Sequence, residues 1–193
     1  TLHSRGVSDI SKVLSRADAM LSGGATIIDV GGESTRPGAS EVSLSEETDR
    51  VVPVVEAIAE RLDVIISVDT SRPEIMREAV SSGAGLINDV RALTRPGAIE
   101  AAHATGVPVC LMHMQGQPDS MQQSPAYNNV MVEVADFLLA RAQFCQQMGI
   151  APSRIVLDPG FGFGKSVTHN LLLLNRLAQI VNLGFPVLVG LSR

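Results

Sequence analysis

The sequence predicts an α/β domain built as a (β/α)8 barrel, with about six of its βα units present in the 193 residues. Three observations predict it. Short Val/Ile/Leu runs alternate with helical stretches, glycines close those stretches, and polar residues stand at the carboxyl end of nearly every apolar run. Continuous apolar runs mark strands buried on both faces, and strict alternation with helices implies parallel strands joined by helical crossovers. An open doubly wound sheet uses the same unit but gathers its polar residues at one switch point. Here they spread over all the strands, which selects the barrel, whose carboxyl rim carries the active site.

The predicted strands are the runs at 26–30, 64–68, 86–90, 107–112, 154–157 and 186–189. Gly24, Gly83 with Gly85, Gly106, Gly149 and Gly184 precede all but the second, where a helix can end in the left-handed conformation that glycine takes without strain. The run at 64–68 instead follows a helical stretch ending near Leu62. Ser43 with Glu46, and Ser71 with Glu74, have the spacing of a capping box, in which hydroxyl and carboxylate satisfy the free amides of a first turn. Pro73 and Pro96 are expected in first helical turns, where a missing N–H costs nothing. Pro53 lies inside the periodic stretch from Glu46 to Arg61 and predicts a kink or restart there.

Composition narrows the function. A hydrophobic content of 45% over this length suffices for one sizeable core. The 15 Lys+Arg against 20 Asp+Glu leave a formal charge of -5 without a run of like charge, which disfavours nucleic acid or an anionic membrane as partner. Aromatics are 3%, with no Trp and one Tyr, so stacking platforms for single-stranded nucleic acid are lacking. No apolar stretch approaches the roughly 20 residues that a bilayer requires and no signal peptide is visible, so a cytoplasmic protein is expected. Cys110 and Cys145 lack the close spacing of a metal knuckle or redox pair and read as buried thiols.

The strand ends carry Asp29 then Gly31-Gly32-Glu33, Asp69-Thr70, Asn88-Asp89, His113, Asp158 and Ser192-Arg193. Any one of these could simply cap the next helix. Asp89 points opposite to Asn88 by strand alternation and is the leading candidate for a structural role. Asp69, Asn88 and Asp158 come from three strands and converge across the barrel mouth. Two carboxylates that accept, and an amide that both donates and accepts, can read a heterocycle with amino, ring N–H and carbonyl groups. Burying them is costly unless a ligand or ordered water matches them, and a pterin edge fits that demand.

Two loops stand out. Gly31–Gly38, GGESTRPG, combines glycines, hydroxyls and a guanidinium, which together can hold an anion by close backbone approach and paired hydrogen bonds. Asp158–Lys165, DPGFGFGK, looks like a nucleotide-binding glycine loop, but Pro159 stands where a P-loop needs glycine and Lys165 where the dinucleotide fingerprint needs one. Asp158 and Phe163 suggest instead a carboxylate reading a polar edge and a ring covering an aromatic ligand. Lys165 is open between an anion contact and solvent. His3, His103 and His169 have no partners at metal spacing, while strand-end His113 and Met112 stay candidates.

GGESTRPG at 31–38, SVDTS at 67–71, LINDV at 86–90, LMHMQG at 111–116, DPGFGFGK at 158–165 and LVGLSR at 188–193 resemble the dihydropteroate synthase family, in family order and approximate spacing. The resemblance runs from about Leu21 to Arg193. It implies a barrel, usually dimeric, that condenses dihydropterin-methyl diphosphate with p-aminobenzoate, releasing diphosphate, with Mg2+ assisting and sulfonamides competing for the p-aminobenzoate place. Asp69, Asn88 and Asp158 match the family's pterin-binding residues, with Val90, Met112, Phe163 and Gly190 lining that pocket. Thr35, Arg36 and Pro37 match the loop holding the diphosphate and closing the p-aminobenzoate site, to which Phe163 and Ser192 also belong. Lys165 matches a family lysine without a settled role.

The resemblance further implies a single pterin-binding domain over 1–193 that is incomplete at both ends. It begins after the first strand, whose loop carries an Asn associated with metal and diphosphate. It stops before a Lys that follows the matching Ser-Arg, and before an Arg and a His at the eighth strand. A product ending at Arg193 is expected to be inactive. The rival readings are the pterin-binding module of corrinoid methyltransferases, against which GGESTRPG and FGFGK argue, and a remnant that binds pterin without turnover.

Overall fold

A computed structural model describes residues 2–3, 10–34, 42–116 and 121–191. Strand β1 (Leu2–His3) is followed by α1 (Ile10–Ser22), β2 (Ile27–Gly31), α2 (Leu44–Ala59), β3 (Ile65–Asp69), α3 (Pro73–Ser81) and β4 (Leu86–Asp89). Then come α4 (Ala98–Thr105), β5 (Val109–Met112), α5 (Val130–Gln147), β6 (Ile155–Asp158), α6 (Val167–Asn175) and α7 (Leu177–Val181). The strands form one sheet in the order β1-β2-β3-β4-β5-β6, with every neighbouring pair parallel. Sequential order without reversal is how a barrel wall grows, and the predicted barrel class stands.

Two details at the ends correct the sequence reading. β1 pairs Leu2 with Val30 and His3 with Gly31, so part of a strand precedes the first predicted one. Two residues carry no periodicity from which to read it. The run at 186–189 gives a single bridge, Val187 beside Leu157, rather than a full strand. Leu157 N donates to Pro186 O and Leu188 N to Leu157 O, each at 2.9 Å.

Strand alternation sorts the sheet into two faces. Ile28, Val30, Ile66, Val68, Ile87, Val109, Leu111, Ile155 and Leu157 turn toward the helices and share one core with Val51, Val55, Ile58, Ile75, Met76, Val134 and Leu138. Each such side chain contributes about 1.5–3 kcal/mol by leaving water. The register places Asp29 beside Ser67, Asp69 beside Asn88, Asn88 beside Cys110 and Met112 beside Asp158, all on the opposite, inner face. The amino-end members of that face, Ile27 and Ile65, are 44% and 52% exposed.

The helix ends mostly follow the predicted chemistry. Ser43 accepts the Glu46 amide at 3.2 Å, and Pro73 opens α3. α2 runs through Pro53 as one helix, so no restart occurs. Pro96 lies in the turn before α4, whose N-cap is Gly97. The expected box at Ser71 and Glu74 is absent: Arg72 caps α3 without a side-chain bond, and the Ser71 hydroxyl donates to Asp89 instead. Two caps were missed. Asn129 accepts the Met131 and Val132 amides, and Ser166 with His169 forms a capping box. Glycine is required at Gly83, where φ is +116° and a Cβ would stand 2.6 Å from that of Ala59. Among the described residues no helix is long and apolar enough to cross a membrane.

Candidate active site

The inner face carries the predicted triad at its carboxyl end. Asp69 and Asn88 are direct neighbours across β3 and β4. Asp158 is level with Met112, one inner-face step beyond the Cys110 that pairs with Asn88, or about 6–7 Å further along the strands. This climb from strand to strand is the stagger that a barrel requires. Asp158 is 6% exposed, Asp69 and Asn88 are half-buried, and the Asn88 Oδ1 atom is buried with no hydrogen-bond partner among the described residues. A polar atom left so is costly until something donates to it.

Burial and crowding set the charge of this face. Asp69 is raised well above the usual carboxylate range, first by burial and then by the negative charges of Asp29, Asp89 and Glu47. Asp158 is raised by burial to about 6, with the Gly160 amide, which donates to its Oδ1 at 2.7 Å, and Lys165 pulling back. Cys110, fully buried among these carboxylates, is held as the thiol. The unpartnered Asn88 Oδ1, together with the crowding of negative groups on this face, offers a place to a ligand that donates hydrogen bonds.

Asp89 has the structural role expected of it. Its carboxylate is fully buried on the helix side and accepts the Arg91 amide at 2.9 Å, the Leu93 amide at 2.8 Å and the Ser71 hydroxyl. It thereby holds a turn in which Ala92 and Leu93 take left-handed φ of 50° and 57°. Arg141 closes the same turn from α5 by donating to Ala92 O and Leu93 O. The turn sets Val90, which with Met112, Arg91, Thr94, Met114 and Phe137 lines a cavity of about 130 Å³.

The remaining predicted residues fall as follows. Phe163 lies half-buried on the turn after β6, and Gly190 is exposed with nothing within 4 Å of where a Cβ would stand. Thr35, Arg36, Pro37 and Ser192 lie outside the described residues. The flanks of their loop are built by residues that the sequence reading missed. Buried Glu47 accepts the Thr70 hydroxyl at 2.7 Å and pairs with Arg72 Nε at 2.7 Å, and Arg72 also donates to Val42 O. Arg50 donates to Gly32 O at 3.0 Å, and a Cβ on Gly32 would press on Glu47 and Val51 at 2.9 Å. The signal for Glu47 is a carboxylate on the core side of an amphipathic helix, which must be paired if buried.

Neither open reading of Lys165 holds. It is 3% exposed, and its Nζ donates to His113 O, Gly160 O and Phe163 O and meets His113 Nδ1. Burial pulls it down to about 7, against the charge of Asp158, while burial and then Lys165 push His113 down to about 3. The imidazole is thus neutral, with Nδ1 facing the amine. Among the described residues no group of three or more His, Cys, Asp or Glu could hold a metal ion.

The family model described as pterin binding enzyme matches residues 3–193. Dihydropteroate synthase of Escherichia coli (strain K12) is 58% identical over 177 residues, covering 92% of this chain and 63% of that protein. The Haemophilus influenzae dihydropteroate synthase is 54% identical, covering 95% and 67%. The Yersinia pestis dihydropteroate synthase, solved as a sulfonamide drug complex, superposes with a TM-score of 0.93 at 55% identity, over 95% of this chain and 66% of that one. The Xanthomonas albilineans enzyme in complex with 7,8-dihydropteroate gives 0.85 at 42% identity, over 95% and 64%. The chain thus spans 63% of the length of the Escherichia coli relative. With a matching model over nearly every residue and an inner face built to meet hydrogen-bond donors, the chain belongs to the pterin binding enzyme family.

Proposed function

We propose that this chain supplies most of the substrate site of a dihydropteroate synthase, which joins (7,8-dihydropterin-6-yl)methyl diphosphate to p-aminobenzoate and releases diphosphate. The observation that carries the reading is the shared inner face of Asp69, Asn88 and Asp158, with an unsatisfied Asn88 acceptor and two carboxyl groups raised by burial. A pterin presents amino and ring N–H donors beside a carbonyl, which that set can meet at once. Val90, Met112, Phe163 and Gly190 complete the walls. Thr35, Arg36 and Pro37 hold the diphosphate and, with Phe163 and Ser192, the arylamine.

In this scheme departure of diphosphate leaves a pterin-methyl cation, which the neutral arylamine nitrogen attacks before losing its proton. No protein nucleophile takes part. Asp69, Asn88 and Asp158 fix the ring, Arg36 neutralises the leaving oxygens, and nearby carboxylates favour the developing cation. The enzyme works as a cytoplasmic homodimer with small-molecule substrates only, and sulfonamides compete with p-aminobenzoate. Mg2+, when bound, would assist departure of the diphosphate, although among the described residues no group of three or more His, Cys, Asp or Glu could hold it.

Calorimetry with the pterin diphosphate, followed by p-aminobenzoate and detection of dihydropteroate, tests the reading in the protein as it occurs. Asp158→Asn should weaken pterin binding by about tenfold or more, since the amide keeps one acceptor but turns its NH2 toward a pterin donor. Equal affinity in wild type, Asp69→Asn and Asp158→Asn would sink it, and so would binding of a methylated pterin with no condensation.

A further inference from the structure

The chemistry above leaves Lys165 without a task, although the fold encloses it almost fully. Its Nζ has four neighbours: three carbonyl acceptors, His113 O at 3.2 Å, Gly160 O at 2.9 Å and Phe163 O at 3.0 Å, and His113 Nδ1 at 2.9 Å, an acceptor in the tautomer that carries its proton on Nε2. An ammonium has three protons to give and nothing to accept, so the cage fits it. An anion placed here would face the negative ends of three carbonyl dipoles. Two of the acceptors belong to the turn after β6 and two to His113, just past β5, so a single side chain ties the turn to its neighbour strand.

Other contacts seat the same turn. Tyr127 Oη donates to Gly164 O at 2.9 Å, and Gly162 N donates to Asn170 Oδ1 at 3.0 Å. Gly160 and Gly164 lie so close to the β5 loop that a Cβ would stand 2.0 Å from His113 O and 2.4 Å from Gln115 O. Asp158 needs none of this, because the sheet holds it: it pairs with Met112, and its carbonyl accepts the His113 amide at 2.9 Å. Phe163 lies outside the sheet. Its amide goes to Gly160 O within the turn, and its carbonyl goes to Lys165.

We propose that Lys165 is a positioning residue that locks the turn 159–164 onto the end of β5 and so sets the place of the Phe163 ring, governing capture of the arylamine rather than of the pterin. The substrate half of this statement rests on the proposed place of Phe163 against the arylamine, the pterin being held chiefly by Asp69, Asn88 and Asp158 on the sheet. The lock itself does not.

Lys165→Met removes the donors while keeping the volume. Amide hydrogen exchange at Gly160, Gly162 and Phe163 should rise by about tenfold or more, while the β5 and α5 amides keep their protection. The KM for p-aminobenzoate should rise roughly tenfold, with kcat and the pterin Kd changed by less than about threefold. Tyr127→Phe removes a gentler tie to the same turn and should show the same pattern at smaller size. If Lys165→Met does not fold, Lys165→Gln, which is shorter and neutral, takes its place, and unchanged exchange at Phe163 there refutes the lock. Unchanged exchange in a folded Lys165→Met refutes it too, and equal losses of pterin and p-aminobenzoate affinity refute its selectivity. Wild-type protein that takes up no pterin would overturn the proposed function instead, leaving exchange to decide on the lock.

Discussion

Asp89 lies on the helix side of β4, away from any ligand, and replacing it with alanine tests how the rim is supported. The substitution strands three buried or half-buried donors, the Arg91 and Leu93 amides and the Ser71 hydroxyl. Leaving a buried donor unsatisfied costs about 1–3 kcal/mol. The sum is offset by the desolvation that pushes the Asp89 carboxyl up from its ordinary range, since alanine has no charge to bury. A net loss of about 3–5 kcal/mol follows, a large share of the roughly 5–15 kcal/mol that holds a domain together. With a urea slope near 2 kcal/mol/M, the unfolding midpoint falls by about 1.5–2.5 M. Asp89→Asn keeps one acceptor and should lose roughly half as much. The left-handed pair Ala92 and Leu93 would then keep only Arg141 and the main-chain bonds of the turn, so Val90 should shift and pterin affinity fall in any variant that stays folded. Equilibrium urea unfolding followed by circular dichroism measures this, and an Asp89→Ala midpoint within about 0.5 M of wild type would refute the account.

Pterin binding should weaken as pH falls through about 6, because Asp158 must be ionised to accept two donors and burial has raised it to about that value; calorimetry at pH 7.5 and 5 reads the change. His113 has the opposite direction of shift. Its folded value is about 3 against 6.5 unfolded, so the unfolded chain takes the proton first and stability drains away as pH falls from 6.5 toward 3. His113→Asn should therefore lose less stability than wild type between pH 7 and 5 in parallel urea titrations. Gly83→Ala should cost about 2–4 kcal/mol, since it adds a clash with Ala59 to a left-handed φ, whereas Gly24→Ala, with open space around it, should cost only about 1 kcal/mol, as thermal melts would show.

What could be read in advance was whatever has a period or a fixed offset. The runs at 26–30, 64–68, 86–90, 107–112 and 154–157 announce themselves by apolar continuity, and Asp69, Asn88 and Asp158 by standing at their ends. The Asn88 and Asp89 split followed from alternation alone. β1 escaped because two residues have no pattern, and the Ser71 cap failed because a better acceptor from another strand, Asp89, competes for its hydroxyl. Glu47 and Arg72 meet through the fold rather than through a local spacing. Lys165 was unreadable for a related reason: three of its partners are main-chain oxygens, which every residue possesses and no sequence distinguishes.

The back-to-back pair Asn88-Asp89 makes β4 intolerant of any change in length. Deleting or inserting one residue upstream of it would send the carboxylate to the inner face and the amide into the helices, so that a frame error of one peptide unit undoes both placements together. A single exchange on this strand strikes one role at a time, whereas a shift of its phase strikes both.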